Sequence, residues 1–191
     1  MSDEHLATEH SEPPNQEETA RALYARAVRL LARRDYSQQE LRQKLAQHQE
    51  ASPEVLDAVL LRLQAERWQS DLRYAQSVID KRTHQGYGRK RMMLELQQQG
   101  IQRELIYQLL EKNDAYWTEQ AFKRLRQYAG VPQAEQVNPK YIQRLQRHLY
   151  HRGFTHEQIR AALEHWLADL PQVSWNPPLL DDGLNASASH H

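Results

Sequence analysis

Apolar residues in this chain recur four apart, break off at a polar or glycine residue, and resume four apart on the far side. Counted from Gly100, Leu96 and Met92 stand four and eight residues before it, and Ile106 and Leu110 six and ten after. The same offsets from Gly153 give Leu149, Leu145, Ile159 and Leu163, and from Gln49 they give Leu45, Leu41, Val55 and Val59. A spacing of four keeps each pair on one helix face, and a turn between two such pairs lets the faces meet. The pattern therefore predicts three helix-turn-helix pairs, with markers 51 and 53 residues apart. Upstream of each lies another amphipathic stretch: Tyr24, Ala27, Val28 and Leu31; Tyr74, Ala75, Val78 and Ile79; Ala121, Phe122, Leu125 and Tyr128. The repeating unit is three helices. About 50 residues cannot bury much core alone, so each unit is expected to pack on its neighbour in an elongated, curved, all-α array.

Local signals place the ends of these helices. Ser37-Gln-Gln-Glu40 and Thr155-His-Glu-Gln158 read as capping boxes, in which the hydroxyl accepts from a free backbone N–H and the fourth side chain reaches back. Ser52 before Pro53 and Asn138 before Pro139 read as N-caps ahead of a proline that needs no donor in the first turn. Gly100 and Gly153 stand where a left-handed residue ends a helix. The expected divisions are a disordered acidic segment 1–19, repeats at 20–68, 69–113 and 114–170, and a disordered tail 171–191.

Composition narrows the chemistry. Among 191 residues there is no cysteine, which excludes disulfides, thiolate metal sites and a cysteine nucleophile. No apolar run approaches the roughly 20 residues of a membrane span, and the first residues lack a basic and an apolar leader region, so a cytoplasmic protein is expected. The net charge of zero conceals segregation. Residues 1–19 carry six acids and no Lys or Arg, and Asp181 and Asp182 lie in the tail. All 25 bases thus face the 17 remaining of 25 acids between Arg21 and Asp169, an excess of eight. A basic body with acidic ends points to a polyanionic partner, nucleic acid or an acidic protein surface.

Lys81, Arg82, Arg89, Lys90 and Arg91 make the densest basic stretch, with no acid among them, and bracket Gly86-Tyr87-Gly88. The third repeat adds Lys123, Arg124, Arg126, Lys140, Arg144, Arg147 and Arg152, interleaved with Tyr128, Tyr141 and Tyr150. Such residues hold phosphates and stack on bases, or pair with carboxylates. Tyr87 reads either as a contact residue or as a plug between helices. The two glycines read as a tight interhelical turn, because a phosphate loop of the Gly-x-Gly-x-x-Gly type fails at Arg91.

Catalytic constellations are wanting. His148 and His151, three apart, share a helix face, with His156 and His165 following, but they lack carboxylate company; exposed or packing histidines are the expectation. Ser37, Ser52 and Ser70 sit where caps belong, no Gly-x-Ser-x-Gly elbow occurs, and Trp68, Trp117 and Trp166 are expected in cores or packing seams. No enzyme, metal or cofactor is expected.

Trp68-Gln-Ser-Asp71-Leu-Arg-Tyr74-Ala75, then Arg82, Gly86-Tyr87-Gly88, Glu95-Leu96 and Gly100-Ile101, resemble the RecX family of regulators of the RecA recombinase. Ser37-x-x-Glu40-Leu41 with Leu45 resembles that family's first repeat, and the resemblance spans roughly 20–170. Ser70, Arg89 and Gln49 depart from residues common there, Asp, Pro and Gly, at caps and turns only. The resemblance implies three tandem three-helix repeats in the groove of the RecA filament on single-stranded DNA. It also implies restraint of ATPase, strand exchange, coprotease activity or extension, in DNA repair and the SOS response. The partner expected is that filament, met by a monomer, with no membrane; a helical module acting directly on DNA is the alternative.

Overall fold

The computed structural model describes residues 16–47 and 52–170. Among them are nine α-helices and one short 3-10 turn, with no strand. They run α1 (Gln16–Leu31), α2 (Gln38–Leu45), α3 (Pro53–Ala65), α4 (Asp71–His84), α5 (Arg89–Gln98), α6 (Arg103–Leu109), α7 (Asp114–Ala129), α8 (Pro139–His151) and α9 (His156–Leu167). The all-α, three-by-three order is the one the repeat predicts. All twelve apolar positions that define the pattern are buried. Residues 1–15, 48–51 and 171–191, and with them the expected disordered ends and the Gln49 marker, lie outside the described residues. Helix α1 begins at Gln16, inside the segment expected to be disordered. There Thr19 is already buried and Glu17 and Glu18 sit at the positive end of the helix dipole.

The described chain divides into two units, one holding residues up to 84 with 92–111, the other 85–91 with the residues from 112 on. In the first, α1 lies across α2 and α3 around Leu23, Ala27, Leu41, Leu45, Val59, Leu60 and Leu63. Leu23, rather than the expected Tyr24, points inward, and Tyr24 lies half-buried with its hydroxyl bonded to Glu66. Helices α4 and α6 pack together, and Tyr74, Ala75, Met92, Leu96, Ile106 and Leu110 are buried. In the second unit α7 packs mainly on α9 and also on α8, around Leu125, Leu145, Leu149, Phe154, Leu163 and Trp166. Trp117 and Trp166 are core residues as expected, whereas Trp68 is 43% exposed, because it falls in the turn after α3 rather than on a helix face.

Caps decide the helix ends. Ser52, Asn138 and Thr155 accept from the backbone N–H three residues on, and Gln158 reaches back to complete its box. Ser37 caps α2 in the same way, but Glu40 does not return the bond: Arg34 Nη1 and Nη2 hold its two oxygens at 3.0 and 2.6 Å. Gly100 (φ 76°) and Gly153 (φ 90°) close α5 and α8 left-handed. The following N–H, of Ile101 or Phe154, then donates to the carbonyl of Leu96 or Leu149, five residues before it.

Candidate polyanion-contact surface

The second unit carries most of the candidate residues, and its geometry begins at the turn between α4 and α5. Gly86 has φ 72°, and Gly88 N–H donates to the Arg152 carbonyl at 2.7 Å. Lys90 N–H donates to the Gly153 carbonyl at 3.2 Å, and Arg152 Nη1 donates to the Gln85 carbonyl at 2.8 Å. Three polar bonds thus fasten the turn 85–88 and the start of α5 to the end of α8. The approach is so close that a Cβ on Gly88 would stand 2.5 Å from the Gly153 carbonyl oxygen. This turn is an interhelical joint, as its sequence implies, with the Gly88 N–H already used. The Tyr87 ring lies half-buried under the Arg152 guanidinium, 4.6 Å from the centroid.

Beneath this joint sits a second layer. Arg124 Nε donates to His148 Nε2 at 3.1 Å, and the His148 ring stacks on Tyr128 at 3.8 Å between centroids. Burial, then the positive charges of Arg124 and Arg152, push His148 from 6.5 down to about 4. Burial and the neighbouring Arg152 also hold Arg124 below its ordinary value. His148 is therefore a neutral acceptor for Arg124. Its ring neighbours are Arg124 and Tyr128, and among the described residues no three His, Asp or Glu side chains converge as metal ligands.

That depressed value has a consequence for stability. Above pH 6.5 neither folded nor unfolded His148 is protonated. Between 6.5 and about 4 only the unfolded chain takes the proton, so stability falls as the pH falls. Discounted for solvent screening, the loss by pH 4 is on the order of 1 kcal/mol. Denaturant midpoints across this window are expected to decline less steeply in His148→Phe than in the parent chain; equal slopes would place the cause elsewhere.

The sequence offsets that define the repeat also locate this pair. In the second domain, the residue seven after buried Ala75 is Arg82 and the residue five before Gly100 is Glu95. The two are bonded through Nε and Nη2 at 2.7 Å each. In the third domain the same offsets from Ala121 and Gly153 give Tyr128 and His148, which stack. In the first they give two cations, Arg34 and Lys44, which do not pair but share the Tyr36 ring at 3.7 and 5.8 Å. One pair of equivalent positions, at or just past the end of the first helix and within the second, has thus been filled three ways. The apolar markers alone do not reveal it.

These pairings sort the candidate cations. Arg82, a candidate for a partner, is partly buried and committed to Glu95, whose two oxygens match its planar fork. Arg124 is held by His148 and Arg152 by Gln85 and Tyr87. Arg126 pairs with Asp169 at 2.7 Å and Lys123 with Glu119 at 3.7 Å. Arg89 is half-buried, with an Nε that has no hydrogen-bond partner. Lys81, Lys90, Arg91, Lys140, Arg144 and Arg147 are exposed. Lys81 belongs to the first unit and the other five to the second. The first turn of α5 contains Arg89, Lys90 and Arg91 with no acid. Three cations at the positive end of a helix oppose its dipole, each at roughly 0.3–1 kcal/mol, a placement that helix stability does not favour.

Comparison with known proteins agrees with this architecture. Residues 24–63, 70–110 and 118–163 match the first, second and third three-helix domains of RecX. A regulatory protein RecX of Actinobacillus pleuropneumoniae is 40% identical over 133 residues, 68% of this chain and 83% of its own length. That of Haemophilus influenzae is 36% identical over 134 residues, 69% of this chain and 86% of the relative. A Yersinia enterocolitica relative of the same name is 31% identical over 163 residues, 73% and 94% of the two chains. The crystal structure of RecX from Lactobacillus salivarius superposes with a TM-score of 0.65 at 16% identity, over 78% of this chain and 97% of that one, a likeness of fold. Among the described residues no helix is long and apolar enough to cross a membrane.

Proposed function

Because the chain belongs to the RecX family, we propose that it regulates the RecA recombinase by lying along the RecA filament on single-stranded DNA. There it restrains ATP turnover, strand exchange, coprotease activity or filament extension, in DNA repair and the SOS response. The observation that carries this reading is the run of three successive RecX three-helix domains, together with relatives of which each is named a regulatory protein. A module repeated in tandem suits a target that is itself repetitive, since successive domains can meet successive protomers and gain by effective concentration. Regulation then needs no reaction centre: the protein acts as a monomer in the cytoplasm, without cofactor, by making the conformational cycle of the filament costlier.

Titration into RecA, single-stranded DNA and ATP is expected to slow hydrolysis until the filament is saturated. Hydrolysis and strand exchange unchanged at saturating protein contradict the reading. Lys90→Glu with Arg91→Glu is expected to weaken the effect more than tenfold, with the fold retained, because acids at the start of α5 suit its dipole better than the bases they replace. Undiminished restraint by a folded double variant removes this end of α5 from the contact.

A further inference from the structure

Helix α8 is the one middle helix of the three with no acidic residue: α2 holds Glu40 and α5 holds Glu95, while Pro139–His151 carries none. Its apolar side, Ile142, Leu145 and Leu149, is fully committed to the core. On the other side Lys140, Arg144, Arg147 and His151 follow one another at steps of four, three and four residues, so they share one face. All four are exposed, along about 16 Å of helix. Elsewhere in this unit Lys123, Arg126 and Arg160 have carboxylate partners within 4 Å. Among the described residues none on α8 does, and Arg144 covers the ring of its own neighbour Tyr141, 4.7 Å away. Tyr150, 42% exposed, borders the last member of the row, its ring 6.2 and 5.5 Å from those of His151 and His156.

We propose that this face of α8 grips the phosphodiester backbone of a DNA strand directly, with Tyr150 as a stacking platform for a base. Charge complementarity alone would admit an acidic protein surface. The exposed aromatic ring beside a row of cations without a carboxylate partner among the described residues distinguishes a nucleic-acid strand, because every base offers a face to stack on and a carboxylate offers none. The cations supply affinity without reading sequence, and the row excludes the neighbouring Arg124, Arg126 and Arg152, which are occupied within the fold. The inference deepens the filament reading and rests on it for the choice of a single strand.

The test uses the full chain, a fluorescent oligothymidylate and no recombinase, with binding read by anisotropy between 50 and 200 mM salt. Lys140→Glu, Arg144→Glu and Arg147→Glu together are expected to weaken binding more than tenfold and to lower the salt slope by about 2, at about 0.7 per phosphate lost. Tyr150→Ala is expected to weaken it at least about fivefold with the slope unchanged. Lys123→Glu, on α7 beside Glu119, serves as the control and is expected to leave both nearly unchanged. The triple Gln variant, which keeps helix propensity, replaces the triple Glu variant where that chain does not fold. Affinity and slope unaltered in a folded triple variant overturn the proposal, as does polyglutamate displacing the strand charge for charge. RecA hydrolysis measured in parallel separates the two readings. Restraint lost with naked-strand binding intact overturns the grip while leaving filament regulation standing. Naked-strand binding lost with restraint intact supports the grip.

Discussion

Replacing Gly153 by alanine is expected to cost the second unit at least about 3 kcal/mol, and Gly88→Ala a comparable amount, although neither substitution touches the apolar core. Gly153 has φ 90°, a conformation that costs an L-residue roughly 1–3 kcal/mol. A Cβ there would also lie 2.5 Å from the Arg91 backbone nitrogen and 2.7 Å from its Cβ. Gly88 has an ordinary backbone, but its Cβ would meet the Gly153 carbonyl oxygen at 2.5 Å and Phe154 N at 2.8 Å, and backbone cannot swing aside as a side-chain end can. Both substitutions open the same joint, so the double variant should cost little more than either alone. Gly130→Ala is the control: φ is 70° but nothing stands within 4 Å of its Cβ, leaving the conformational cost alone. Denaturant unfolding measures the three differences. Amide exchange at Gly88 and Lys90, whose N–H groups span the joint, shows whether it has opened. Single-variant costs below that of Gly130→Ala would mean the close approach is not maintained in solution.

Leu145→Ala and Leu41→Ala are each expected to cost about 2–5 kcal/mol, the range for a wholly buried leucine that leaves a cavity. They act on different cores. Leu145 faces Leu125, Ile159, Leu163 and Trp166, while Leu41 belongs with Leu23, Ala27, Val59 and Leu63. With two units in one chain, unfolding need not be all-or-none, and each substitution should shift the exchange protection of its own core far more than that of the other. Equal loss of protection in both cores after either substitution would show a single cooperative unit instead. Effects of such variants on the recombinase should scale with the folded fraction, unlike those of Lys90 and Arg91.

Wherever the determinants lie within a few residues of one another, the fold could be read in advance. Thr155 and Gln158 complete their box because both partners sit on one turn, and the twelve apolar markers are buried because their spacing matches the helix period. At Ser37 the reading is half right: Glu40 lies at the proper distance but is claimed by Arg34, a competitor from the preceding loop. Gly88 gives no local sign of its purpose, since what forbids a side chain there is a carbonyl 65 residues later in the chain, at Gly153. The candidate surface was legible as charge and not as availability. Arg82, Arg124, Arg126 and Arg152 differ from Arg144 and Arg147 only through their partners Glu95, His148, Asp169 and the Gln85 carbonyl, all distant along the chain. The Arg82–Glu95 and Tyr128–His148 pairs were within reach, because the repeat offsets that located the apolar markers align them as well.

Direct imaging of RecA filaments on single-stranded DNA, with and without this protein, bears most closely on regulation by lodging along the filament. The account predicts added density that recurs along the groove, resolvable into three-helix domains, with the face bearing Lys90, Arg91 and helix α8 turned toward the filament. Filaments that stay bare at saturating protein, or density confined to free DNA beyond their ends, would contradict it.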